Sequence, residues 1–338
     1  MEDVIAKKAL ELGYESCGII GTGEMSGFAD KLRERIEESP PDEGMYKNFF
    51  GYANLHETYP WAKSLVVCVV KYVHYIIPKN LDGMIGKNYL VDVRSGELGR
   101  EYGASNEFEN FLKSLGLQVS TERRFGVTAM RWAALKAGLG IVRKNNFFYS
   151  DSGSWVHVEA FLTDKEMELV HKPVAKPCPP DCNRCITACP TKSLSKPYTM
   201  SPAACISPLS VRPGIDMTNS PYRQAFGKWV YGCDTCQDVC PFNAGKWKQT
   251  DAFPGLAELS AEASLENIVR MDETRLTELF ADKFFYIGRE QIWRWKINAL
   301  NAMLNSYDAS YADTIKAAQN DPNEQVRRMA DFVAKQVL

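Results

Sequence analysis

Eight of the chain's ten cysteines fall in two short runs: Cys178, Cys182, Cys185 and Cys189-Pro190, then Cys205, and then Cys233, Cys236 and Cys240-Pro241. Thiols this closely spaced are ligands for soft metals. The first run, C-x3-C-x2-C-x3-C-P, differs by one residue from the bacterial two-cluster ferredoxin run, in which the fourth cysteine crosses to the other cluster. Eight thiolates complete two [4Fe–4S] clusters. The crossing assigns Cys178, Cys182, Cys185 and Cys240 to one cluster and Cys189, Cys205, Cys233 and Cys236 to the other. Zinc and disulfides are the competing uses. Paired C-x2-C-x3-C-P runs match zinc ribbons poorly. The charged start MEDVIAKKALEL has no secretory signal character, which points to a reducing, cytoplasmic setting. Cys17 and Cys68 lie in apolar runs and read as buried, inert residues.

The elements that must position these thiols follow from hydrophobic period. Val4, Ile5, Ala9 and Leu12 recur at helical spacing, as do Phe28, Leu32 and Ile36. Cys17 to Ile20 and the β-branched run Ser64 to Tyr72 read as strands. Phe108, Phe111, Leu112 and Leu115 form a helical stripe that Gly116 can end, and a further helix spans Val127 to Ala137 before Gly138 and Gly140. Trp155 to Thr163 alternates as a strand. Pro173, Pro177, Pro179 and Pro180 mark a boundary ahead of the cysteines. Beyond the cysteines, Leu256 to Phe280 reads as short helices, and longer ones follow from about Gln291. The last is predicted to start at Asp321-Pro322, with Val326, Met329, Phe332, Val333 and Val337 on one face.

The expected class is α+β, in 338 residues long enough for two or three domains. We place the divisions at 1–168, 169–250 and 251–338. The longest apolar runs are far too short to span a bilayer, which argues against a membrane role. A net charge of −2 gives no global pull toward nucleic acid. Lys192, Lys196, Arg212, Arg223 and Lys228 could still gather on one face, and Arg294, Lys296, Arg327 and Arg328 on the C-terminal helices.

Taken together, the cysteine runs, Lys136-Ala137-Gly138-Leu139-Gly140 through Lys144-Asn145, and Gly153-Ser154-Trp155 resemble the epoxyqueuosine reductase family, which is related to reductive dehalogenases. Pro60 to Tyr72, Gly99-Arg100-Glu101-Tyr102, Tyr231-Gly232-Cys233-Asp234 and Asn298-Ala299-Leu300 extend the likeness over nearly the whole chain. The resemblance implies a nitroreductase-like cobalamin-binding domain, a two-cluster ferredoxin-like domain and a C-terminal α-helical, HEAT-like repeat. It also implies that the clusters pass electrons to a cobalamin lacking a protein ligand on cobalt, supplied by a low-potential donor such as ferredoxin or flavodoxin. On the same basis Gly138, Gly140, Lys144, Asn145, Ser154 and Trp155 would line the corrin pocket.

One departure bears on the reaction. Where the family carries a proton-donating aspartate ahead of the A-G-L-G segment, this chain has Arg124, whose pKa is too high for a general acid but which suits anion binding. Tyr102 matches a family tyrosine and is the candidate proton donor. The preferred reading is a cytoplasmic cobalamin-dependent reductase of an unidentified small, anionic substrate. Two alternatives stay open. One is an epoxyqueuosine reductase acting on tRNA with a different acid, such as Glu101 or Asp151; the other is an electron-transfer or corrinoid-reducing protein without small-substrate turnover.

Overall fold

Residues 1–94, 99–173 and 175–338 are described in the computed structural model of the chain. Helix α1 (Glu2–Glu11) buries Ile5 and Ala9 and leads into β1 (Ser16–Gly21). Helix α2 (Gly27–Glu38) follows, then β2 (Ser64–Lys71), α3 (Arg100–Ser114), β3 (Val119–Ser120) and α4 (Met130–Lys136). A tight hairpin, β4 (Ile141–Val142) and β5 (Phe148–Tyr149), precedes β6 (Val156–Thr163). The main sheet has the order β1-β2-β6-β3, with every pairing antiparallel.

Strand β2 reads as an unbroken apolar run because both of its faces are covered. Val66, Cys68 and Val70 point into a core shared with Ile5, Ala9, Phe108 and Leu112. Leu65, Val67 and Val69 point the other way, against Ala133, Ala134 and Ala137. Cys17 and Cys68 are buried and directly opposite each other in register, away from the other eight thiols. Helix α3 ends where its stripe predicts: Leu115 caps it and Gly116 takes a positive φ of 81°.

The cysteine segment contributes three short helices, α5 (Arg184–Ala188), α6 (Ile206–Val211) and α7 (Thr235–Asp238). Beyond it come α8 (Leu256–Glu262), α9 (Leu265–Arg270), a π-helical turn at Thr277–Ala281, and then α10 (Arg294–Asn305), α11 (Ala312–Ala318) and α12 (Glu324–Val337). The larger core continues from the sheet through Ile206, Leu209 and Tyr231 into Trp295, Leu300 and Val333.

The C-terminal helices are fastened to the cysteine segment by polar contacts. Arg294 donates to the carbonyls of Ser210, Leu209 and Ile215, near the C-terminal end of α6, where a cation is favoured. Asn298 donates to Ser210 O and Val230 O, both at 2.8 Å. Trp295 stacks on Tyr231 and Phe280. The last helix starts two residues later than its sequence suggests. Asn323 is the N-cap, accepting from Gln325 N, while the Asp321 carboxylate accepts from Asn323 N through Oδ1 and pairs with Lys296 Nζ at 2.6 Å through Oδ2.

Candidate functional site

The two cysteine runs each wrap a single helical turn. Cys182 and Cys185 flank the start of α5 while Cys189 leaves its end; Cys233, Cys236 and Cys240 are arranged likewise about α7. The thiols line two separate cavities. Cys178, Cys182, Cys185 and Cys240 face one, together with Arg143, Lys144 and Phe242. Cys189, Cys205, Cys233 and Cys236 face the other, a cavity of about 240 Å³. Among the described residues, no three His, Cys, Asp or Glu side chains meet closely enough to hold a single metal ion. Burial pushes the Cys205 thiol up to about 11 and the Cys233 thiol up to about 12, so ligation there must displace protons.

The β4–β5 hairpin supplies the support. Asn146 takes a positive φ of 65°, which asparagine tolerates better than most residues, and the resulting turn carries Lys144 and Asn145 toward the thiols. Lys144 is buried and its Nζ donates to Pro179 O, Pro180 O and Cys182 O at 3.0, 2.6 and 2.9 Å. Asn145 lines both cavities and donates to Cys236 O and to the Tyr149 hydroxyl. Arg143, which the sequence reading passed over, lies across the Phe242 ring with Nη1 3.9 Å from Cys178 Sγ.

These contacts alter the roles expected of the pocket residues. A Cβ on Gly138 would lie 1.8 Å from His171 O, and one on Gly140 would lie 2.2 Å from Tyr149 O. Both glycines therefore let another stretch of the chain's own backbone approach closely. Ser154 is buried, with its N–H on Asn243 Oδ1 and its hydroxyl on Gln237 Oε1; Trp155 packs edge-on to Trp247. Lys144, Asn145, Ser154 and Trp155 thus join the sheet to the cysteine segment. The second cavity is also lined by Asn88, Asn146 and Arg131, whose amide and guanidinium donors suit the amide-fringed rim of a corrin.

A second constellation surrounds Arg124. The loop holding it is fixed from both sides: Arg94 Nη1 donates to Arg124 O at 3.0 Å, and the Glu122 carboxylate accepts the N–H groups of Arg124 and Phe125. The Arg124 and Arg94 guanidinium groups both lie over Phe285, at 5.4 and 5.7 Å from its centroid. Arg94 is itself paired with buried Asp92. Burial and the Arg94 charge press the neighbouring His157 down to about 3, so it stays neutral. Burial also lowers Lys283, on the same segment as Phe285, to about 8. Neither Lys283 nor its neighbours stand out in the sequence, because nothing in their spacing announces a site.

Tyr102 sits on the first turn of α3 beneath Arg123, whose guanidinium is 5.7 Å from its ring and is held by Ser105 and Glu109. Tyr102 thus meets the residue beside Arg124. Of the alternative acids, Glu101 is partly buried, which would raise its pKa, yet His74 and Tyr75 outweigh burial and hold it below its ordinary value as an anion. Asp151 lines a different groove, beside Gly138 and Gly140. Most of the basic residues expected to form a nucleic-acid face have partners within the fold. Arg294 and Lys296 are buried as described, Arg327 donates to Asp321 O and Pro322 O, and Arg328 pairs with Asp216. Lys196 pairs with Glu38.

The family described as a 4Fe-4S double cluster binding domain matches residues 178–243. An epoxyqueuosine reductase of Cellulophaga algicola is 28% identical over 254 residues, covering 71% of this chain and 78% of that protein. Among solved structures, an epoxyqueuosine reductase with a tRNA-Tyr epoxyqueuosine-modified stem loop shares the fold at a TM-score of 0.77 and 23% identity, over 99% of this chain and 89% of that one. The Bacillus subtilis epoxyqueuosine reductase, solved with its catalytic aspartate loop swung out of the active site, gives 0.73 and 22%, over 99% and 98%. Among the described residues no helix is long and apolar enough to cross a membrane.

Proposed function

Starting from kinship with the epoxyqueuosine reductases, we propose that this chain is a cytoplasmic, cobalamin-dependent iron–sulfur reductase of a small anionic substrate. The observation that carries the reading is the division of eight thiols, four and four, between two cavities, with the crossed ligand Cys240 on the first. On this reading a nitroreductase-like region to about residue 168 and the segment 169–250 enclose the cofactors, and the HEAT-like helices of 251–338 brace the second of these. The donor is a low-potential carrier of the ferredoxin or flavodoxin kind.

Bound cobalamin would supply a low-valent metal centre for a reduction that side chains cannot perform. The chain's own contribution is positioning and charge. Cys178, Cys182, Cys185 and Cys240, and Cys189, Cys205, Cys233 and Cys236, hold the iron. Lys144 and Asn145 fix the loops around it, and Arg131 and Asn88 offer donors in the lining of the second cavity. Arg124 binds the anionic group. Tyr102, with Arg123 across its ring, holds a transferable proton at its hydroxyl.

Anaerobic reconstitution tests the proposal. About eight irons per chain and a corrinoid with the base-off spectrum are expected, and Cys240→Ser should remove the same cluster signature as Cys185→Ser. Zinc in place of iron, or protein that leaves the corrinoid free, would sink it.

A second reading is supported by the fold shared with the stem-loop complex: reduction of epoxyqueuosine in tRNA, with an acid other than residue 124. Queuosine formation by the reduced, loaded protein would establish it. No conversion, with activity appearing only in Arg124→Asp, would exclude it for the natural chain.

A further inference from the structure

Resting on the reductase reading for its consequence, we propose that the exposed face where the residue-124 loop meets the segment Lys283–Tyr286 binds a planar aromatic anion, with the anionic group on Arg124 and the ring on Phe125. This names the class of substrate. Four observations converge on it.

The first is an imbalance of charge. Arg94 is neutralised by Asp92, but Arg124 has no ion pair among the described residues. A guanidinium presents parallel donors that match a carboxylate. The second is misplaced apolar surface. Phe125 is 60% exposed and Tyr286 is 38% exposed, although rings of this size are ordinarily covered. Phe125 meets Phe285 and Tyr286 at nearly right angles, 5.6 and 6.1 Å away. Those contacts steady the ring and leave much of it open.

The third is preorganisation. Arg94 and Glu122 hold the loop's carbonyl and N–H groups, so the Arg124 and Phe125 backbone needs no ordering when a ligand arrives. The fourth is position. Tyr286 lies 5.9 Å from Tyr89, which lines the cavity of the second thiol set. An occupant would sit one aromatic step from that cavity. The occupant is a small molecule because this face offers Arg124 for one anionic group, and the basic residues of the C-terminal helices named above are already paired within the fold.

The test uses the reconstituted protein and calorimetric titration with 2-naphthoate, cyclohexanecarboxylate and 2-naphthalenemethanol. Naphthoate should bind roughly tenfold more tightly than either control, since only it engages both cation and ring. Arg124→Gln should lose roughly tenfold for naphthoate and nothing for the alcohol. Phe125→Leu should erase the preference for the aromatic acid over the alicyclic one. Both side chains are exposed, and unchanged iron content shows that each variant is folded. Equal binding of all three probes, or variants indistinguishable from the natural chain, would overturn the proposal. Displacement of naphthoate by an anticodon stem loop at concentrations where aryl carboxylates fail would overturn it in favour of nucleic acid. If the protein takes up no corrinoid while naphthoate binding follows the expected pattern, the reductase reading fails and the assignment of this binding face stands.

Discussion

Cations are treated differently in two regions of the molecule. Around the thiols and the C-terminal helices each is satisfied: Lys144 by three carbonyls, Arg294 by three more, and Lys296 by Asp321. Lys283 lies over the rings of Phe253 and Phe284, 4.3 and 6.0 Å from Nζ, with a distant carboxylate, Asp92, and no ion pair among the described residues. Satisfied cations fasten one element to another. An unsatisfied one lowers stability, and such a cost is retained where a site needs a charge ready for a ligand.

Removing a satisfied cation should give the largest loss. Lys144→Met orphans three carbonyls in the loop that carries Cys178 and Cys182 and should cost about 3 kcal/mol. Thermal melting with iron release measured in parallel checks it, with the first thiol set expected to lose its metal before the second. Equal loss from both sets would mean that Lys144 supports the whole segment, and the contrast between regions would blur.

Removing the unsatisfied cation should do the opposite, with a pH signature. Burial lowers Lys283 from 10.5 to about 8, so the unfolded chain holds more protons than the folded one between those values. Stability therefore rises as pH climbs through that window, and the cost of the charge is fully present below pH 8. Lys283→Met should raise the melting temperature by about 2 °C at pH 7, allowing for the lost ring contact, and the gain should vanish near pH 10.5. A variant that melts lower at pH 7 would show that the ammonium is satisfied after all.

The same contrast explains what could be read from the chain. The thiols were legible because cluster ligation imposes short, fixed spacings, and the strands because β2 and β6 keep their period over whole elements. Helix α3 was legible through its stripe and Gly116. Roles that depend on which distant residue fills a space were not legible. The closeness of His171 O to Gly138 and the ion pair of Asp321 with Lys296 both depend on residues distant in sequence. Arg294 and Lys296 read as a basic face yet are buried. Lys283 had no local pattern, because its character comes from Phe253 and Asp92, which lie far away in sequence.

The smallest expected effect separates the two thiol sets themselves. Arg143 is buried against Phe242 with Nη1 3.9 Å from Cys178 Sγ, whereas the second set has hydroxyl neighbours, with Thr235 3.3 Å from Cys233 Sγ and Thr191 3.8 Å from Cys189 Sγ. A positive charge beside a cluster favours its reduced, more negative form and so raises its potential. Arg143→Gln should therefore lower the potential of the first couple by on the order of 50 mV, or about 1 kcal/mol for one electron, and leave the second nearly unmoved. Redox titration followed by electron paramagnetic resonance resolves the two. Arg143→Lys should recover most of the shift if charge is the cause, and little of it if the planar fork over Phe242 matters more. Equal movement of both couples would show that the two cavities share one electrostatic environment, and the difference in their neighbours would then have no electronic consequence.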